Sequence, residues 1–446
     1  MTADNAPSTA CPVSPATEPA PVVSAAAAAP SAPTPSVSAT LADPANPTAA
    51  RIRELGAAFE PDLIELRRSL HAHPELSGHE LRTQEALCVE LEKLGVPYKR
   101  VAKTGVIGTI RGEAPGSYDD QGRPRRRVAL RADIDALPVT EKTGADYASQ
   151  NKGVMHACGH DCHMAMMLGA VRILQEMRSE LHGEVRILFQ PAEEISSGAC
   201  WMIAEGALDA VDAIYGAHIW SEVDAGQFSC EPGQRMANTD WFRIEIEGVS
   251  AHGSMPHKGV DAVVVGAEMV TALQVLVSRD TSPFEPAVVT VGEFHGGEAR
   301  NVMAGSAVLT GTVRTWGPRM RAEMGERLER IVEKIATAFG ATARFTYEAG
   351  NGGLSNDPAC AAVARQAVCE VLGEQAVASY EGTLAGEDFS EYLNFVPGVF
   401  VFVGARNPAV GAQHPQHSCF YQIDESVLVK GAMVAAQWAH DMLAKE

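Results

Sequence analysis

The chain has 446 residues, 46% of them hydrophobic and 21% charged, and a formal net charge of -20. That length leaves room for two or three domains around a large core, and the composition is that of a soluble globular protein. The acidic excess argues against nucleic acid as a partner, because phosphate binding needs a basic surface; no apolar run is expected to reach the length of a membrane span. Nine cysteines, an odd number without regular spacing, exclude a secreted disulfide framework and fit a reducing, cytoplasmic setting.

Residues 1–48 are mostly Ala, Pro, Ser and Thr. Such a segment buries too little apolar surface to offset its ordering entropy and reads as a disordered tail. The first basic residue of the chain is Arg51, which disfavours a signal peptide, since that needs an early positive region. From residue 50, helical and strand-like patterns alternate: a helix ending at 64–70 before Pro74, a helix over 83–94 stopped by Gly95, and strands over 106–110 and 128–132. A helix over 164–177 and strands over 185–189 and 211–217 continue the series. Alternation of this kind predicts an α/β sheet covered on both faces. Between 235 and 348 the order becomes strand 242–247, helix 261–277, strands 287–294 and 307–315, helix 320–339 and strand 342–347. That β-α-β-β-α-β order is ferredoxin-like and reads as a domain inserted into the α/β domain, which spans 49–234 and 349–446. A helix over 358–372, a strand over 399–403 and a helix from Asp424 return the chain to that first domain.

Chemistry concentrates in the run Met155-His156-Ala157-Cys158-Gly159-His160-Asp161-Cys162-His163. Thiolate and imidazole are transition-metal ligands, and Gly159 lets the backbone turn so that Cys158 and His160 converge on one ion. Gln190-Pro191-Ala192-Glu193-Glu194 closes a strand. Of its two adjacent carboxylates, which point in different directions, one can bind metal while the other takes a proton from water. His218 ends another apolar run, and His414-Pro415-Gln416-His417 adds two histidines near the C-terminus. Cys, His and Glu from these four pieces make a ligand set for one or two divalent ions. The same run also suits a thiol enzyme with Cys158 or Cys162 as nucleophile and His163 beside it, a reading that insensitivity to chelators would favour. A non-catalytic binder has no need of the second carboxylate.

These motifs, with His71-Ala72-His73-Pro74-Glu75-Leu76, Arg131-Ala132-Asp133-Ile134-Asp135-Ala136-Leu137-Pro138, Gly216-Ala217-His218 and Gly386-Glu387-Asp388-Phe389, resemble the aminoacylase/carboxypeptidase family of dinuclear metallopeptidases. The resemblance covers nearly all of 50–446 and is greatest to the amidohydrolase branch that includes hippurate hydrolase and the plant auxin-conjugate hydrolases. It implies a metal-binding catalytic α/β domain with an inserted ferredoxin-like lid and dimerisation domain. It makes Cys158, His160, Glu194, His218 and His417 the metal ligands and Glu193 the catalytic acid/base, with Asp133 and Asp135 behind the ligands. Cys419 stands where the family usually has Pro, and His414 competes with His417, whose spacing to Asp424-Glu425 fits the family better. His252, in the loop Ser250–His257, matches a family histidine that reaches the partner subunit's site, and Asn301 and Arg314 match positions that hold substrate. The implied reaction is metal-dependent hydrolysis of the amide of an N-acyl amino acid by a homodimer or higher homo-oligomer. Zinc or manganese is the implied metal, with cobalt or nickel as alternatives, and the alternative activity is that of a carboxypeptidase or dipeptidase.

Overall fold

The computed structural model describes residues 46–444. The expected tail therefore lies outside the described residues except for its last three, of which Asn46 caps the first helix and Pro47 and Thr48 begin it. Asn46 Oδ1 accepts from the Thr48 N–H at 3.0 Å, and Pro47 takes the first position of helix Pro47–His71, a favourable N-terminal pairing. Two compact units follow. One comprises the described residues of Met1–Glu231 with Ala359–Ser379 and Asn394–Glu446; the other is Pro232–Pro358 with Tyr380–Leu393.

The first unit is built on a seven-stranded sheet. Its strands run in the order Tyr98–Val101, Gly105–Arg111, Glu184–Gln190, Arg127–Asp133, Ala213–Asp224, Gly398–Arg406 and Phe228–Ser229. Four central strands are mutually parallel and the rest pair antiparallel. Arg127–Asp133 is buried from its second residue onward, and Gly398–Arg406 up to its last, as expected for parallel strands covered on both faces. Helices Pro47–His71, His160–Glu176 and Val427–Ala444 pack against one another beside this sheet. Gly169 permits the approach, because a Cβ there would lie 2.7 Å from Ala432 Cβ and 2.9 Å from Leu63 Cδ1. Asp133 pairs with Gln190 across the sheet, so two neighbouring parallel strands end level. Carboxyl ends of this kind are where open α/β sheets place their ligands.

The second unit has a four-stranded antiparallel sheet, ordered Ala287–Gly296, Ser306–Thr315, Asn238–Glu247 and Thr342–Ala349. Helices Ala262–Val275 and Pro318–Phe339 pack on it. By contacts the unit runs beyond 235–348. Leu354–Asn356 pairs with Gly233–Met236, and the Thr383 and Ala237 amides bond to the Arg235 and Ala385 carbonyls at 2.9 and 3.0 Å. The expectation that no apolar run reaches membrane length needs correcting: Ala262–Asp280 is long and apolar enough by length and composition. Glu268, Thr271 and Gln274 interrupt the run in sequence, but Ala262, Val265, Met269, Leu273 and Leu276 form a buried stripe in the core of this unit. Val263, Val264 and Val275, off that stripe, are exposed.

Candidate metal centre

Cys158 and His160 are brought to one point by a turn that only glycine tolerates. Gly159 has φ +95°, and a Cβ on it would sit 2.5 Å from Ile219 Cγ2, so conformation and space both exclude a side chain. Cys158 Sγ lies 3.3 Å from His218 Nε2. His218 Nδ1 donates to the Ile219 carbonyl at 2.6 Å, which fixes the tautomer and turns the Nε2 lone pair toward the sulfur. His160 Nδ1 lies 2.9 Å from the Asp135 carbonyl and 3.2 Å from Asp135 Oδ1. Its Nε2 faces Glu194 Oε1 at 3.8 Å, and neither of these buried atoms has a hydrogen-bond partner. Asp161, next in sequence, turns away into an ion network with Arg67 Nε at 2.7 Å and His71 Nδ1 at 2.8 Å; this pins the start of the helix.

Glu193 and Glu194 follow a residue in the left-handed region. Ala192 has φ +55°, a conformation costly for a residue with a Cβ. Its carbonyl accepts from the Ser197 and Gly198 amides at 3.2 and 3.1 Å, and the Glu194 amide donates to Asp135 Oδ2 at 3.0 Å. Ligand atoms of His160, Glu193 and Glu194 lie within 4.8 Å of one another, as do those of Cys158, Glu194 and His417 and those of Cys158, His160 and His218. His417 also has a positive φ, +66°, and its amide bonds to the Ala157 carbonyl at 2.8 Å. His414 instead places its ring 5.5 Å from that of Phe420.

Asp133 and Asp135 are both buried. Asp135 receives Ser77 Oγ at 2.6 Å. Asp133 pairs with Arg131 at 2.6 Å and takes His163 Nδ1 at 2.5 Å. His163 Nε2 accepts the Ile219 amide at 2.9 Å, so its proton sits on Nδ1 and neither nitrogen is free for a metal. Sequence reasoning gave His163 only a part in thiol chemistry. Its spacing of three from His160 on one helix face was the available signal.

The electrostatics of the cluster suit a cation. Burial, then the Glu194 and Glu193 carboxylates, push the Cys158 thiol well above its ordinary value. Burial raises Glu194. Burial and His163 hold His218 neutral. For His160 burial is opposed and outweighed by Asp133 and Asp135, and the ring rises to about 10. A buried thiol crowded by carboxylates becomes a thiolate only beside added positive charge. The unpartnered His160 Nε2 and Glu194 Oε1 are two donors aimed at the place where that charge would sit. The donor set of one sulfur, imidazole nitrogens and carboxylate oxygens fits a divalent transition ion.

In the second unit, strand Ala251–His252 pairs with Val302–Met303, and the Gly253 amide bonds to the Asn301 carbonyl at 2.9 Å. His252 and Asn301 are thus neighbours, and both are exposed. His252 Nδ1 is engaged by Ser254 Oγ at 2.8 Å. Arg314 is half-buried at the far end of strand Ser306–Thr315, opposite Thr239. A rise of about 3.3 Å per residue puts it roughly 26 Å along the strand from Ser306.

Residues 129–441 match the model of peptidase family M20/M25/M40. The N-acetyl-L-cysteine deacetylase of Bacillus subtilis is 38% identical over 388 residues, 87% of this chain and 89% of that protein. An N-acyl-L-amino acid amidohydrolase of Geobacillus stearothermophilus is 42% identical over 301 residues, 67% of this chain and 79% of that one. Among solved structures, a dinuclear metal binding peptidase of the M20 family from Bacillus subtilis superposes with a TM-score of 0.75 at 33% identity, covering 87% of this chain and 99% of that one. With a matching fold, a matching family model and relatives matched over most of their length, this chain belongs to peptidase family M20/M25/M40.

Proposed function

We propose that the chain hydrolyses the amide bond of N-acyl amino acids, with Cys158, His160, Glu194, His218 and His417 as the ligands of one or two divalent ions, zinc or manganese. The observation that carries this reading is the adjacent Glu193–Glu194 pair beside a buried thiol–imidazole cluster, both within 4.8 Å of a His160 nitrogen: two carboxylates at one place allow one to bind metal and the other to move a proton. The names of the deacetylase and amidohydrolase relatives support the substrate class. When bound, the metal supplies Lewis acidity that polarises the carbonyl and lowers the pKa of water toward about 7. Glu193 takes the proton from the attacking water and delivers it to the departing amine, which solves the leaving-group problem of an amide. Asp135 holds the His160 tautomer and Asp133 orients the Ile219 peptide through His163, so both act from behind the ligands.

His252 is the proposed oxyanion stabiliser, Asn301 a substrate-holding group and Arg314 the clamp for the substrate carboxylate. His252 lies on the two-stranded ladder with Val302–Met303, whereas Arg314 lies in the four-stranded sheet, eight residues along strand Ser306–Thr315 from Ser306, a spacing we read as too wide for both to serve one small substrate from one copy. A homodimer that exchanges His252 between sites resolves this, and the exposed Val263, Val264 and Val275 offer apolar surface for pairing. The test is a panel of N-acetyl and N-benzoyl amino acids and dipeptides, assayed on metal-replete protein, after chelation and after metal return. Hydrolysis of the acyl amino acids that chelator abolishes and metal restores is expected. Dipeptide cleavage alone, or turnover undiminished by chelator, would overturn the reading.

A further inference from the structure

Helix Leu81–Lys93 begins after Glu80, yet Glu80 makes no side-chain cap for it. Glu75 does that work instead, accepting from the Arg82 and Thr83 amides at 3.2 and 2.8 Å. The Glu80 carboxylate is wholly buried and points elsewhere. Oε1 accepts from the Ala192 amide at 3.0 Å and from the Gly78 amide at 2.8 Å, and Oε2 accepts from Thr104 Oγ1 at 2.5 Å. A residue at a helix N-cap normally serves its own helix. This one is committed, across 112 residues of sequence, to the backbone of the left-handed residue immediately before Glu193. Ser77, three residues earlier, holds Asp135 Oδ2, which also accepts from the Glu194 amide. The Ser77–Glu80 segment therefore grips the Glu193–Glu194 turn from both ends.

We propose that Glu80 is a positioning residue for hydrolysis: its carboxylate fixes the Ala192 amide and so sets where the Glu193 carboxylate stands. This rests on the reading that Glu193 carries the proton. Glu80→Ala removes the acceptor and lets the turn relax. A misplacement of about 1 Å costs on the order of 10²-fold in rate, so kcat on an N-acetyl amino acid should fall roughly 10- to 100-fold, with KM changed less than about threefold and bound metal retained. Glu80→Gln should restore most of kcat, because its Oε1 still accepts from Ala192 while its amide donates to the Thr104 hydroxyl, which can accept as readily as donate. Combining Glu80→Ala with Glu193→Gln should be little worse than Glu193→Gln alone, since two residues acting through one group are not additive.

If Glu80→Ala is recovered unfolded, Glu80→Asp carries the test. It keeps a carboxylate for Thr104 but falls one methylene short of Ala192, and the same loss of kcat is expected. A kcat within about threefold of wild type for the alanine or aspartate variant, or a double variant falling by the product of the single losses, would overturn the proposal. A fully active Glu193→Gln enzyme would instead overturn the assignment of the proton carrier, and kcat of Glu80→Ala would still report on the turn.

Discussion

Gly198→Ala should silence the enzyme without emptying its core. A Cβ on Gly198 would lie 1.6 Å from the Pro191 carbonyl oxygen and 2.7 Å from the carbonyl carbon, both backbone atoms, where real Cβ contacts essentially never fall below 3.0 Å. The Pro191 carbonyl must therefore retreat by about 1.4 Å, and the displaced peptide leads directly into Ala192 and Glu193. A shift of that size should lower kcat on the order of 10²-fold, and the forced backbone movement should cost roughly 1–3 kcal/mol of stability. Gly169→Ala is the control. Its Cβ meets Ala432 Cβ and Leu63 Cδ1, a helix contact, so a stability loss of the same order is expected with kcat unchanged. Steady-state kinetics on an N-acetyl amino acid, thermal melting and metal analysis on both variants decide the matter. A Gly198→Ala enzyme with kcat within about threefold of wild type would refute the argument. So would an equal fall in Gly169→Ala, because general destabilisation would then be the cause.

Further outcomes are expected. Glu193→Gln should keep its metal and lose roughly 10²–10⁴-fold in turnover, the usual worth of a proton-transfer group; near-normal turnover with metal bound would remove Glu193 from the role. Cys158→Ser should lose metal and activity together, since a hydroxyl is a far weaker ligand than a thiolate; elemental analysis showing full occupancy would count against Cys158 as a ligand. Asn46→Ala should lower stability by about 1 kcal/mol through the lost cap, read as a fall in Tm, and an unchanged Tm would contradict it. Mixing His252→Ala subunits with Glu193→Gln subunits should recover part of the activity, and no recovery in demonstrated mixed dimers would mean that His252 does not act across subunits.

The layers of the fold were readable because they rest on periodicity and on strong stops such as Gly95. Strand Tyr98–Val101 escaped because it is an edge strand of intermediate and exposed residues with only Val101 buried, so it carries no alternation to detect. The last helix begins at Val427, not at Asp424, because Asp424 spends its side chain on the Ser426 amide and Asn407 ahead of the helix. The clustering of Cys158, His160, Glu194, His218 and His417 side chains was readable from residue types that are costly to bury together. Its supports were not. Glu80 reaches Ala192 over 112 residues, His163 grips the Ile219 amide over 56, and neither contact leaves a local pattern. The left-handed turns at Ala192 and His417 were also hidden, because neither residue is a glycine or asparagine that would announce them.

The interrupted layout of the first unit bears on how the chain is made. Strand Ala213–Asp224 pairs with Arg127–Asp133 on one side, but its other neighbour, Gly398–Arg406, is synthesised only after the whole second unit. At roughly 5–20 residues per second, a ribosome needs on the order of 10 s or more to cover that span. During this time an apolar strand edge has no permanent partner and is open to pairing with other chains. The second unit, with its own core and a nearly continuous sequence, can fold in that interval. The nascent chain is therefore most exposed to aggregation between the emergence of strand Ala213–Asp224 and that of strand Gly398–Arg406.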